Sequence, residues 1–401
     1  MHKPKSLAVP LVLLLAIAVM LNFVDRGAIG IAAPLMGKAL GLSALQFGVA
    51  ASAFFWTYGL TQPIIGMAAD RWPAGRVLAL SVALWGVATL LTGFVASLAV
   101  LIGLRLVLGL GEAGLFPCTS KLIAAHVPPE RRGLANAMVA VGLALGPALG
   151  TLAGGMLLAS HGWHWVFFVF GAVTLVWTVP WLALLVRLPG HSGADPADRA
   201  ADPAMPMGQV LAQRTLWIMG AAHALANYGF FFVAAWLPLY LVKSRGLSIP
   251  TMTLFATATF AAQAVASLGW GQLADALVRR GMPASLAQRR LATLAQLGSI
   301  AGVAGIALAN GPGPLLAALV GTGVFLGCLP TMVYALGQGY AAPRGVAAWI
   351  GVQTAIGSLS GIIGPVVTGM IVDATGSFSG AFAFAGLVSA AGAAVFAFAL
   401  P

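Results

Sequence analysis

Twelve long stretches of this chain carry almost no charge, and each is long enough to cross a bilayer as a helix. They lie near residues 7–36, 45–69, 77–97, 99–124, 133–159, 163–186, 210–242, 249–275, 291–310, 313–341, 345–372 and 378–400. A hydrocarbon core about 30 Å thick takes roughly 20 residues at ~1.5 Å of rise each. Composition agrees: of 401 residues, 60% are hydrophobic and 7% charged, against about 45–50% and about 25% in soluble domains. Too little polar side chain remains to cover a water-facing surface, so a soluble enzyme is excluded. The runs lack period-2 alternation, which excludes an outer-membrane barrel. The expectation is an all-α integral membrane protein with twelve transmembrane helices in two pseudo-symmetric six-helix bundles.

The net charge of +11 would suggest nucleic acid in a soluble protein. Here its placement matters more. If the N-terminus is cytoplasmic, the inner loops and tails hold Lys3, Lys5, Arg71, Arg76, Arg131, Arg132, Arg187, Arg199, Arg214, Arg279, Arg280, Arg289, Arg290 and Arg344, fourteen in all. The outer loops hold three, Lys38, Lys243 and Arg245. Cytoplasmic loops of membrane proteins are rich in Lys and Arg. The asymmetry predicts a multi-pass protein of the inner (plasma) membrane with both termini cytoplasmic. Lys3 and Lys5 before an apolar run imitate a signal peptide. The run is too long for one, however, and continues into the polar Asn22–Arg26 stretch, which reads as an uncleaved first span.

The one long polar interruption divides six spans from six, giving an N-terminal bundle over 1–186, a cytoplasmic linker over 187–209 and a C-terminal bundle over 210–401. The halves repeat. Gly66-x-x-x-Asp70 and Gly271-x-x-x-Asp275 close the second and eighth spans at an offset of 205, and Asn22 and Asn227 differ by the same 205. Two parallel six-helix repeats are the plan of secondary transporters that alternate access around a midplane site. Asp70, Arg71 and Arg76, with Asp275 and Arg279 in the other half, are the expected gating residues.

A charge at the centre of a membrane helix costs at least ~2.5–3.5 kcal/mol, so such residues are functional suspects. Of nine acids, only Asp25 and Glu112 fall within spans; the basic residues there are Arg26 and Arg105. Glu112 follows Arg105 by seven, so both project from nearly one face. Asp25 and Arg26 are adjacent and point about 100° apart. A buried network that only locks helices together is one reading. The other is transport chemistry: protons carried on Asp25 and Glu112, an anion held by the planar fork of Arg26, and Arg105 as the cation that tunes an acid. The spacing predicts that a cation holds Asp25 ionised. Glu112, two turns from Arg105, should lack compensation and carry the resting proton.

Several motifs together carry a family resemblance. The loop Gly66–Arg76 looks like the signature loop of the major facilitator superfamily. More narrowly, Asn22-Phe23-Val24-Asp25-Arg26, Phe55-x-x-Tyr58-x-x-x-Gln62-Pro63-x-x-Gly66, Gly109-Leu110-Gly111-Glu112-Ala113 with Pro117, Glu130-Arg131-Arg132-Gly133, and Trp236-Leu237-Pro238-x-Tyr240-Leu241 resemble the anion:cation symporter family. The resemblance implies the major facilitator fold, proton-coupled carriage of organic anions such as sugar acids, and the same roles for Asp25, Arg26, Arg105 and Glu112. Tyr58 and Gln62 join the substrate-binding set with Arg26 and Arg105. From the second half come the uncharged Asn227, Tyr228, Gln353 and Ser358. His223, Gln263, Tyr334, Gln338 and Thr354 are further polar groups in apolar spans. The sequence departs from relatives at Phe23 (often Tyr), Ser358 (commonly Asn) and His164 (usually Arg), which points to a less hydroxylated substrate.

Other signals are discounted. Gly109–Gly114 matches the dinucleotide fingerprint, but no strand precedes it and small residues in a membrane helix permit close packing. No Walker loop occurs. Cys118 and Cys328 have no metal-ligand spacing and read as packing residues. The expectation is therefore no enzyme, no cofactor, no metal and no nucleic acid. The partners are a small organic anion, protons and the lipid bilayer, acting on a monomer. Gly142-x-x-x-Gly146-Pro147-x-x-Gly150-x-x-x-Gly154 supports a second reading, a proton-driven drug antiporter, unless it is a helix-packing seam. A transport-dead receptor is a third class.

Overall fold

The computed structural model describes residues 7–127, 132–188, 205–341 and 346–401. Lys3, Lys5, Glu130, Arg131, Arg344 and residues 189–204 of the linker lie outside them. So do the side chains of Asp70, Arg71 and Arg132.

The described chain is helical nearly throughout. In the first half α1 covers Ala8–Ala39, α2 Ala44–Arg71, α3 Ala74–Thr92, α4 Leu98–Glu112, α5 Leu115–His126, α6 Arg132–His161 and α7 Trp163–Leu185. In the second, a short α8 (Met207–Leu211) precedes α9 (Arg214–Lys243), α10 (Ile249–Arg279), α11 (Ala284–Leu308), α12 (Pro312–Tyr340), α13 (Val346–Gly357), α14 (Leu359–Thr375) and α15 (Ser379–Ala394). Eleven apolar spans of membrane-crossing length occur among the described residues, with α4–α5 and α13–α14 each forming one. The 28-residue α2 is long enough to be another. The twelve expected runs are thus twelve helical spans, two of them broken near their middles, directly after Glu112 and at Ser358.

The chain divides into two compact units, Met1–Met36 with Ala53–Arg199, and Gly37–Ser52 with Ala200–Pro401. Within the first, indole N–H groups tie helices together: Trp177 Nε1 donates to Leu14 O at 3.0 Å and Trp181 Nε1 to Gly75 O at 2.9 Å. In hydrocarbon a buried donor without an acceptor is costly, so such bonds fix which helices touch. Close backbone approach does the rest. A Cβ at Gly109 would strike Phe54 O on α2, which explains the glycine-rich Gly109–Gly114 run as packing. A Cβ at Gly146 would lie 2.6 Å from Phe23 Cβ and 2.8 Å from Met20 O, so the Gly142–Gly154 stripe seats α6 on α1.

The second unit uses arginines as helix caps. The Arg245 guanidinium donates to Ile306 O, to Ala307 O at 3.1 Å and to Ala309 O at 3.0 Å, closing the end of α11. Arg289 does the same for Phe396 O at 3.1 Å and Ala397 O at 2.8 Å. The N-terminus of α2 also belongs here: Asp373 on α14 accepts from Ala44 N at 2.9 Å and Leu45 N at 2.8 Å.

Candidate transport site in the first bundle

The four charged residues singled out in the spans come together in the first unit. Asp25 is 2% exposed, Arg105 4% and Glu112 0%. Arg26 keeps a 13% exposed side chain. Helix α1 supplies Asp25 and Arg26, and the last turn of α4 supplies Glu112 at the point where that helix breaks.

Their pairing differs from the expectation. Glu112 does not lack a cation: Arg26 Nη2 lies 2.8 Å and Nε 3.1 Å from its Oε2. Nη2 also donates to Asn22 Oδ1 at 3.2 Å. Three aromatic rings surround the guanidinium, with centroids 4.9 Å (Phe23), 4.9 Å (Phe54) and 4.6 Å (Tyr58) away. Arg105 lies over the Phe54 ring at 5.2 Å and is close enough to Glu112 and Arg26 to act on both electrostatically.

Asp25 differs from the expectation in the opposite sense. Its Oδ2 accepts from Trp85 Nε1 on α3 at 3.0 Å and from Thr174 Oγ1 on α7 at 2.8 Å. Its Oδ1 is buried and has no hydrogen-bond partner. Among the described residues no cation lies within ion-pair distance of it. The reason is geometric. Neighbours on a helix point about 100° apart, so Arg26 meets α4 while Asp25 turns between α3 and α7.

This arrangement can do two things. The Arg26 side chain keeps 13% exposure, so the guanidinium can meet a second carboxylate in competition with Glu112. Asp25 is a buried carboxyl whose only bonds are to neutral donors. An ionised carboxylate so placed is costly, and a carboxyl that takes up a proton there relieves the cost.

The remaining expected residues are distributed as follows. Tyr58 is buried on α2 beside Arg26, and Gln62, one turn on, is half-buried. Trp85, Thr174, Asn22 and Phe54 make contacts at the site that the sequence did not assign; for the first three the one signal was a hydrogen-bonding group in an otherwise apolar helix, and Phe54 carried none. In the second unit, Tyr228 OH and Thr368 Oγ1 are 3.2 Å apart. Gln353 Nε2 donates to Val333 O at 3.3 Å, with His223 Nδ1 at 3.5 Å. Ser358 Oγ donates back to Thr354 O at 3.0 Å. All four of Tyr228, His223, Gln353 and Ser358 are buried with partners inside their own bundle, whereas Asn227 is half-buried and Tyr334 exposed. Arg76, Asp275 and Arg279 are exposed at helix ends.

A profile of the Major Facilitator Superfamily matches residues 15–287. The chain belongs to that superfamily. The hexuronate transporter of Bacillus subtilis is 30% identical over 400 residues, spanning 97% of this chain and 92% of the relative. The probable sulfoacetate transporter of Cupriavidus necator is 28% identical over 385 residues, covering 92% and 89%. The fold matches a solved bacterial homologue of the human lysosomal transporter Spinster with a TM-score of 0.78, at 22% identity over 98% of this chain and 92% of that one. As a Major Facilitator Superfamily member the chain is a multi-pass membrane transporter, not an enzyme.

Proposed function

We propose that this transporter carries a small organic anion, a sugar acid or a related short carboxylate, together with protons. The observation that carries the reading is the Arg26–Glu112 pair, a guanidinium held by a carboxylate that a second carboxylate can displace. Protonation of Glu112 removes the charge that competes for Arg26. The substrate carboxylate then takes the planar fork, so proton and anion enter together. Asp25 is the second proton carrier, and Arg105 tunes the Glu112 carboxylate. Asn227 and its neighbours in the second bundle contribute uncharged contacts. Hexuronate and sulfoacetate relatives support an anionic cargo.

In this reading both termini lie in the cytoplasm of a plasma-membrane protein, which the Lys and Arg asymmetry supports. Asp70, Arg71 and Arg76, with Asp275 and Arg279, act as the gate, and the protein works as a monomer. The glycine stripe that supported a drug antiporter serves packing against α1, so nothing specific favours that reading.

The test is uptake into proteoliposomes with D-glucuronate and sulfoacetate as probes. An inward proton gradient should drive accumulation above equilibrium, and a protonophore should abolish it. Equilibration that ignores the gradient rejects proton coupling. Gradient-driven extrusion of cationic drugs, with no anion uptake, rejects the cargo.

A further inference from the structure

Asp25 sits in a pocket built by helices that contribute no charge to it. Asp25 is 2% exposed, Trp85 0% and Thr174 0%. Both donors converge on one oxygen, Oδ2, at 3.0 Å from Trp85 Nε1 and 2.8 Å from Thr174 Oγ1. Oδ1 is left buried without a partner. With both donors on Oδ2, a protonated Asp25 would keep Oδ2 as the carbonyl acceptor and carry its proton on Oδ1. The ionisable groups nearest in the packing are Arg26 on the same helix and Glu112 and Arg105 on α4, of which Arg26 is engaged with Glu112. The α3 and α7 helices each carry a single ionisable residue, Arg76 and His164, at their first turns. Those lie nine and ten positions from Trp85 and Thr174, or ~14–15 Å along the axis.

We infer that Trp85 and Thr174 are the positioning residues of the proton site. They lock the Asp25 carboxyl through Oδ2, turn it away from Arg26, and leave Oδ1 as the atom that gains and loses the proton. The inference rests on Asp25 being a proton carrier and adds which residues set its proton affinity. Both donors bond more strongly to an anionic oxygen than to a neutral one, roughly twice as strongly. Each therefore eases release of the proton. Without one of them, Asp25 binds its proton about five-fold more tightly, an upward shift of ~0.7 pH unit. When the proton leaves, it passes to solvent water, the negative charge remains on the carboxylate, and the two N–H and O–H donors stay in place. No bond other than Oδ1–H breaks.

The experiment is an infrared titration of the reconstituted full-length protein with no substrate present. It follows the carbonyl-stretch band of a protonated carboxylic acid. Asp25→Asn should remove a band that titrates in the unmodified protein. Trp85→Phe and Thr174→Val, which delete one donor each and leave an apolar side chain in its place, should move its midpoint upward by ~0.7 pH unit. Thr174→Ser should restore the original midpoint. If Asp25→Asn removes the band but neither deletion moves it, Trp85 and Thr174 only pack, and the inference fails alone. If the titrating band survives Asp25→Asn, Asp25 is not the proton carrier and the functional reading fails at that residue. Thr174→Val is near-isosteric, so it carries the test even if Trp85→Phe does not fold.

Discussion

Replacing Glu112 by Gln probes how the site exchanges one carboxylate for another. Arg26 Nη2 stands 2.8 Å from Glu112 Oε2. At that distance and an effective dielectric constant of about 20, the attraction is ~6 kcal/mol. Dehydration of both groups offsets much of it, and removing one member of a buried pair leaves a net loss of ~3–5 kcal/mol. The lower end applies here, because Arg26 keeps Asn22 Oδ1 and the faces of Phe23, Phe54 and Tyr58. The unliganded variant should therefore melt several degrees lower than the parent. A substrate carboxylate laid against Arg26 supplies the missing charge. Recovering about half of that ~3 kcal/mol tightens binding about tenfold. The assay is the thermal midpoint at fixed pH, titrated with D-glucuronate and with sulfoacetate, since bound ligand stabilises by RT ln(1 + [L]/Kd). Proton-driven accumulation should be lost in the same variant while exchange of anion across the membrane persists. A variant as stable as the parent that binds neither anion more tightly would refute the competition between Glu112 and substrate for Arg26.

Three further outcomes follow from the same geometry. Arg26→Lys replaces contacts from both Nε and Nη2 with a single point charge, so anion binding in the same titration should weaken at least about tenfold. Gly146→Ala puts a Cβ 2.6 Å from Phe23 Cβ, and the overpacking should cost about 1–3 kcal/mol of stability. An unchanged thermal midpoint there would show that the stripe is not a packing seam. Asp373→Ala strips the carboxylate that caps Ala44 N and Leu45 N, which should cost about 1 kcal/mol. Hydrogen exchange at those two amides should accelerate, and unaltered exchange would count against the cap.

Much of the architecture was legible in the sequence because a bilayer imposes simple conditions. Every backbone polar group in hydrocarbon must bond within its own segment, so apolar length alone locates the helices, and the scarcity of charge isolates Asp25, Arg26, Arg105 and Glu112. The Gly109–Gly114 run already read as packing, whereas the Gly142–Gly154 stripe stayed open between a packing seam and an antiporter motif; close approach of Gly146 to Phe23 favours packing. What the sequence left open was who pairs with whom. Helical spacing put Asp25 and Arg26 about 100° apart, but their neighbours come from sequence separations of 60 and 149 residues for Asp25 and 86 for Arg26. Only the packing of α3, α4 and α7 around α1 settles those meetings. It gives the cation to Glu112, and to Asp25 the two neutral donors. Linear spacing cannot encode that choice, because it measures distance along one helix, while a buried charge responds to whatever lies across the interface.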